Sequence, residues 1–415
     1  MLIVSKFGGS SLADAARFLR VREIVRSDPG RRVVVVSAPG KRHAADHKIT
    51  DLLYLCRAHL RCGVSCWDLF RRVKERYVAI RDGCALSCPI ERELDALYSA
   101  LGPDFSEEEL VSRGEYWSAR LMAELLDFEF LDAADWLIFD AAGQIDKKES
   151  YGRLEALAAG RRIVTPGFYG AMPDGSVHTL PRGGSDVTGS LAAAALGADL
   201  CENWTDVPGV LRADPRAAEH PPAIPLLCWP ELQLLAGVGL PVLHEDAAAP
   251  LRERGIPLRI LSTFEPEEPG TLVTAELPNG APAGPVGFAC RKNLTLLALA
   301  PQKRAEDAQR VRALLGRTGS RVFLSSEGPD GAAFLLDGPA PAGLAGLVPA
   351  ERLCVAGQVG VIAGVFRGAE RAPEVLAAVA AAAPVLFSQL SGSCLMAAVP
   401  ERSCGAALRA AAGAV

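Results

Sequence analysis

Residues 33–36 are four valines in a row, followed at once by Ser37-Ala-Pro-Gly. A strand that is apolar on both faces belongs inside a sheet covered by helices on both sides, and such sheets are parallel. Short apolar runs recur at 2–7, 163–166 and 200–205. Between them, 13–26, 49–59 and 116–126 place apolar residues at helical spacing. The alternation predicts an α/β fold built on a parallel-rich sheet. At roughly 150 residues per domain, the 415 residues suggest two or three domains.

The pattern changes at 265–285, EPEEPGTLVTAELPNGAPAGP, where proline and glycine mark a boundary. This places a first domain over 1–278 and a second region over 284–415. Beyond the boundary the units shorten: a strand at 294–300, a helix at 305–315 and strands at 321–325 and 332–336. After 352 the order runs strand, helix, strand, helix. Two small α+β units of the βαββαβ kind are expected, the second formed by about 286–293 plus 352–415. The alanine-rich tail keeps periodic apolar residues, which fits packed helices better than low complexity.

Net charge is −5 and charged residues make up 22%, so no basic patch points to a nucleic-acid partner. The opening MLIVSKFGG reads as a strand entering a turn rather than a signal peptide. The longest apolar run near the end, 375–387, is too short to span a bilayer and is interrupted by Pro384. A cytoplasmic protein with no membrane partner is expected. Eleven cysteines without a secretion signal argue for reduced thiols. Cys62, Cys66, Cys84 and Cys88 form two C-x3-C pairs with no histidine among them. That spacing suits i,i+4 packing on helices better than a zinc knuckle.

Three stretches carry chemistry. SKFGGSS, 5–11, follows a strand and precedes a helix, placing Lys6 at the strand's carboxyl end, where open α/β sheets bind ligands. Its glycines allow close backbone approach, and the next helix N-terminus favours an anion. A strand–turn–helix with a surface lysine gives the same pattern. The second stretch, PGFYGAMPDGSVHTLPRGGSD, 166–186, brings a second glycine turn flanked by Arg182, Ser185 and Asp186. Arginine offers a planar fork for carboxylate or phosphate, although Ser185 and Asp186 would also serve as a cap for the apolar helix at 187–198. The third, ENWTDVPGVLRADPR, 202–216, ends a strand and makes two turns; turn chemistry accounts for Asp214 and Pro215 but not for Arg216.

In this order and spacing the stretches resemble the aspartate kinases of the amino acid kinase family. VVVVSAPG with Thr50 beyond it, RGE at 113–115, GFYGA, PRGGSD, WTDVPG, ADPR, VLHEDAAAPLRERGIPLRI and PGTLV extend the resemblance over nearly all of 1–275. GFYGAMPDGS and ENWTDVPG resemble a clostridial-type branch. The resemblance implies an amino acid kinase-type sheet sandwich, not a P-loop fold, followed by an ACT-like regulatory region. It implies transfer of the γ-phosphoryl of ATP, with Mg2+, to the side-chain carboxylate of L-aspartate, a step that feeds lysine, threonine and methionine synthesis. Lys6 would reach the transferred phosphoryl, and Gly8, Gly9, Ser10, Gly183 and Gly184 would cradle it. Asp186 would orient Lys6 or help place the metal. Arg182 would clamp the substrate α-carboxylate and Glu115 its α-ammonium, with Ser37, Thr50, Phe168 and Ser185 completing the pocket. Thr205, Asp206, Leu211 and Arg216 would serve the nucleotide. An amino-acid effector at the ACT-like region and a homodimer are also implied.

Each of these residues has a plainer reading. Glu115 would suit a helix N-terminus, Phe168 a core, Ser37 a strand end and Thr50 a helix cap. His244 reads as packed and His178 as solvated in a polar loop. Pro241 stands where many relatives carry a lysine, and Leu211 where a tyrosine is common. The basic loop APGKRHAADHKI, 38–49, is either a lid over phosphate or a solvated loop. Two rival readings remain: another amino acid kinase, acting on acetylglutamate, glutamate or UMP, and a kinase-like body that only senses an amino acid.

Overall fold

The computed structural model describes residues 1–181, 183–215, 221–240, 245–301, 304–328 and 331–414. The chain forms two compact units. The first holds Met1–Val210, Pro225–Trp229 and Leu243–Leu277; the second holds Leu211–Ile224, Pro230–Val242 and Pro278–Val415. Two segments from the middle of the chain thus group with its C-terminal part.

The first unit begins with β1 (Ile3–Phe7), a 3-10 turn (Gly9–Leu12), α1 (Ala15–Arg26) and β2 (Arg31–Val36). Four helices follow: α2 (Ile49–Arg61), α3 (Trp67–Gly83), α4 (Ile90–Ala100) and α5 (Glu107–Leu126). Next come β3 (Glu129–Phe130), α6 (Ala133–Trp136), α7 (Lys147–Ala158), β4 (Ile163–Pro166) and the small hairpin β5 (Tyr169–Ala171) and β6 (Val177–Thr179). The unit is completed by α8 (Gly184–Leu196), β7 (Leu200–Thr205), β8 (Leu226–Cys228), α10 (Glu245–Arg254), β9 (Leu258–Ser262) and β10 (Thr271–Thr274); α9 (Trp229–Gly237) lies between β8 and α10 in sequence.

The main sheet has eight strands in the order β3-β4-β2-β1-β7-β9-β10-β8. All its pairings are parallel except β9 with β10. The valine run of β2 is buried throughout, as a strand covered on both faces must be. Helices α1–α5 pack one face in a core that includes Phe7, Val34, Val36, Val164 and Trp204. Period-2 alternation then turns Lys6 to the other face, where α8 lies: a Cβ on Gly189 of α8 would stand 3.1 Å from Lys6 Cβ.

Two sequence expectations need correcting. The helix expected at 116–126 starts at Glu107, with the Ser106 hydroxyl accepting from the Glu109 amide. Glu115 is therefore mid-helix and cannot act as a helix N-terminal charge. The start was hidden because Gly114 interrupts the helical pattern. Gly114 is there for close approach: a Cβ on it would come within 2.9 Å of Ala38 Cβ. The C-x3-C pairs do not lie along helices either. Cys62 closes α2 and Cys66 precedes α3, while Cys84 closes α3 and Cys88 lies before α4.

In the second unit, β12 (Val322–Gly328), β13 (Gly331–Asp337), β15 (Phe387–Ser391) and β16 (Cys394–Pro400) join two long strands, β11 (Gly284–Leu299) and β14 (Leu353–Arg367). They form one six-stranded sheet in the order β12-β13-β11-β14-β16-β15. The second half of β11 pairs with β13 and with the start of β14, whereas its first half pairs with the end of β14. Two α+β modules therefore share their central strands; in the first, 3-10 turns at Leu344–Gly346 and Ala350–Arg352 stand where the expected βαββαβ order has a second helix. α11 (Arg304–Arg317) covers one module, and α12 (Ala372–Ala382) with α13 (Cys404–Gly413) covers the other. Among the described residues no helix is long and apolar enough to cross a membrane.

A buried polar knot fixes the edge of the main sheet away from the glycine turns. Glu202, 2% exposed, takes Arg31 Nε at 2.8 Å and Nη2 at 3.0 Å. It also accepts from the Ser5 hydroxyl and the Trp204 indole N–H. Removing one partner of a buried ion pair strands the other charge, at a cost of about 3–5 kcal/mol. Arg31→Ala should therefore lower unfolding free energy by about that amount, whereas Ser5→Ala should cost about 1 kcal/mol. Urea-denaturation midpoints of the two variants measure the difference.

Candidate active site

The glycine turn after β1 and the start of α8 meet at the carboxyl edge of the sheet. Lys6, 8% exposed, places Nζ 2.5 Å from Asp186 Oδ1 and 3.3 Å from Asn203 Oδ1. Asp186 lies in the first turn of α8, whose N-cap, Gly183, has φ +78° and no side-chain cap. Ser185 and Asp186 are therefore not capping side chains. Asn203 was not singled out from sequence. It pairs in register with Lys6 across β1 and β7, a neighbour that only the sheet register shows.

The glycines work differently from one another. At Gly8 an added Cβ would sit 3.4 Å from Lys6 Nζ and from the Trp204 carbonyl oxygen, which is ordinary contact. At Gly9 it would be 2.8 Å from the Ala38 carbonyl oxygen, and at Gly40 it would be 2.7 Å from the Gly9 carbonyl carbon. Gly9 and Gly40 thus let two loops cross, closed by the Gly40 amide donating to the Gly9 carbonyl at 2.7 Å. Gly9 serves this crossing and also lines the second cavity described below. Gly184 is likewise packed: a Cβ there would meet the Phe168 ring at 2.8 Å.

Phe168 itself has φ +79°, a left-handed conformation that bulky residues seldom adopt. Its amide donates to the Thr188 hydroxyl at 3.0 Å. A strained residue of this kind persists where its surroundings over-determine it, commonly at a ligand site.

Two cavities open here. The first, about 720 Å3, is lined by Lys6, Ser37, Lys48, Thr50, Asp51, Tyr54, Glu115, Phe168, Leu180, Pro181 and Gly183–Asp186. The second, about 470 Å3, is lined by Gly8–Ser10, Ser37–Lys41, Lys48, Thr50, Glu115, Thr205 and Asp206. Ser37, Lys48, Thr50 and Glu115 line both. Thr50 is the second residue of α2 and Lys48 its N-cap, so Thr50 is not the cap. Lys48, Asp51 and Tyr54 went unnoticed in the sequence because exposed polar positions around a helix start are common.

Not every expected residue joins this group. Leu211 belongs to the second unit, where it bridges Ala223, and lines neither cavity. Arg182, Arg216, Pro241 and His244 lie outside the described residues. His178 is not merely solvated: Nδ1 stands 2.9 Å from Glu108 Oε1, and its ring meets Phe139 edge-on at 4.7 Å. No group of three potential metal ligands occurs among the described residues.

Glu115 is the electrostatic anomaly. It is 4% exposed; Oε1 accepts from the Ala38 amide at 3.1 Å, and Oε2 has no partner. Burial pushes its carboxyl up from 4.5 to about 8, against the pull of the Ala38 N–H. Between those values the folded chain holds a proton that the unfolded chain has released, so stability falls as pH rises through that window. Glu115→Gln removes the titration. The variant should melt progressively higher than the parent between pH 5 and 8, with the gap constant above about pH 9. Melting curves of both proteins across pH, without ligand, check this; parallel curves would refute it.

Comparison with known proteins identifies the family. Residues 1–262 match the amino acid kinase family. Aspartokinase 3 of Bacillus subtilis is 38% identical over 291 residues, covering 66% of this chain and 64% of that protein, so the matched part spans somewhat less than two thirds of that relative. The crystal structure of Clostridium acetobutylicum aspartate kinase superposes with a TM-score of 0.86 at 32% identity, covering 100% of this chain and 99% of that one. That of Escherichia coli aspartokinase III in complex with aspartate and ADP gives 0.76 at 26%, covering 100% of both chains. The chain belongs to the amino acid kinase family.

Proposed function

We propose that the protein is an aspartate kinase, moving the γ-phosphoryl of ATP onto the side-chain carboxylate of L-aspartate to give 4-phospho-L-aspartate. The observation that carries this reading is Glu115: a buried carboxylate with an unpartnered oxygen in a cavity shared with Lys6. Such a group calls for a cationic ligand atom, and an α-ammonium supplies one. Acetylglutamate and UMP carry no amine of that kind. The complex of the Escherichia coli relative with aspartate and ADP supports the same pairing of ligands.

The acceptor carboxylate has a pKa near 4 and is already ionised at neutral pH, so no general base is required. The difficulty is bringing two anions into line, and catalysis of phosphoryl transfer is mainly positioning and charge stabilisation. Lys6 meets the transferring group, held in place by Asp186 and Asn203. Ser37, Thr50, Phe168 and Ser185 shape the acceptor pocket, and Arg182 takes the substrate α-carboxylate. Gly8, Ser10, Gly183, Thr205 and Asp206 face the nucleotide, and Arg216 is the further nucleotide residue that the resemblance implies. Mg2+ usually binds through one or two carboxylates together with substrate phosphates. Asp206, beside the Thr205 hydroxyl at 3.2 Å, fits that modest role. When bound, the ion neutralises phosphate charge.

The C-terminal unit is read as a regulatory body that takes an amino-acid effector, in a homodimer. The Clostridium relative is described as an allosteric enzyme, and the paired α+β modules suit that role.

Incubation with ATP, Mg2+, L-aspartate and hydroxylamine should give aspartyl hydroxamate and ADP. Lys6→Ala should lower kcat by about 10²- to 10³-fold, the usual loss when one transition-state donor is removed. No hydroxamate from the wild-type protein, or wild-type turnover in Lys6→Ala, would overturn the reading.

A further inference from the structure

The two cavities meet where a nucleotide's terminal phosphate and an acceptor carboxylate would converge. Two anions meeting there call for more positive charge than Lys6 supplies, because Lys6 already shares its charge with Asp186 at 2.5 Å. Lys48 lines both cavities. Its side chain is exposed. Unlike Lys6 it has no ion pair among the described residues, although Asp51 lines the first cavity with it.

The reason lies in the loop that carries it. Asp46, the acidic residue nearest in sequence, is buried and already saturated. It accepts from Arg42 Nε at 2.8 Å, Arg42 Nη2 at 3.1 Å and Arg76 Nη2 at 2.6 Å. The Arg42 side chain holds its carboxyl well below the usual range. Arg76 also donates to the Gly40 carbonyl, and Arg17 to the carbonyls of Lys41 and Arg42. The loop is therefore held from outside by Arg17 of α1 and Arg76 of α3, and Lys48 stands where it enters α2.

We infer that Lys48 is a further catalytic residue, contacting the transferring γ-phosphoryl from the α2 side of the junction. This rests on the proposed kinase activity. As the acceptor carboxylate oxygen bonds to the γ-phosphorus, the bond to the β–γ bridging oxygen breaks and ADP leaves with that electron pair. Lys48 donates hydrogen bonds throughout and transfers no proton.

The test is the affinity of Lys48→Ala and Lys48→Arg for ATP and for ADP, by calorimetry with Mg2+. A contact to the γ-phosphoryl alone should cost Lys48→Ala about 10- to 100-fold in ATP affinity, the worth of a charged hydrogen bond, while leaving ADP unchanged. Lys48→Arg should recover most of the loss. Equal losses for both nucleotides, or no loss, would overturn the inference. Hydroxamate formation by the wild-type protein is followed separately. If it forms while Lys48→Ala keeps its ATP preference, only the role of Lys48 fails. If none forms while the ATP preference shifts as expected, Lys48 stands and the acceptor reading fails. A wild-type protein that binds neither nucleotide overturns both.

Discussion

The ion pair between Lys6 and Asp186 ties the first strand to the helix that crosses its face, and the rest of the site is arranged around that link. β1 is central in the sheet, with β2 and β7 on either side, so the lysine stem has no freedom to move sideways. Gly189 leaves room for the stem on the α8 side. Asn203 adds a neutral acceptor from the neighbouring strand. A lysine set between one carboxylate and one amide oxygen stays aimed. It also keeps donors for a third partner, since an ammonium has three.

Glu115 has the opposite character. Lys6 is buried and paired, whereas Glu115 is buried with one oxygen left over. Burying a carboxylate without a counter-charge is unfavourable. The chain tolerates it by keeping the carboxyl protonated up to about pH 8 while no cation is at hand. The two groups therefore divide the first cavity into a cationic end and an end that wants a cation. An amino acid with an acidic side chain carries charges in the complementary order.

Much of this was legible in the residues. Lys6 and Asp186 each stand near a glycine pair before a helix; local chemistry marks them as candidates, and the family resemblance gives them their roles. The unbroken valines of β2 fixed the kind of sheet. What was not legible depends on the crossing of distant segments. Gly9 reads as a ligand-facing glycine, yet its partner is Gly40, and only the folded chain brings the two backbones together. Glu115 looked like a helix start because Gly114 interrupts the periodicity, and the reason for Gly114 is Ala38, far away in sequence. Leu211 sits in a continuous motif with Thr205 and Asp206, but the chain passes into the second unit between Val210 and Leu211. Motif continuity carried the reading across a boundary that composition does not mark.

The same crossings, with buried arginine contacts, hold the loop at the cavity edge. A loop of small, basic and polar residues, 38–48, has little apolar surface with which to anchor itself. It is held instead by Asp46, whose carboxylate receives two arginines from different parts of the chain, and by backbone carbonyls that take further arginine donors. Buried pairs of this kind add little net stability, because desolvation offsets most of the attraction. They do fix one geometry, since any other arrangement would leave a buried charge unmatched. The ordering of Ser37, Thr50 and the loop is thus completed on folding, before any ligand arrives. A site whose work is to align two anions gains most from that kind of preorganisation.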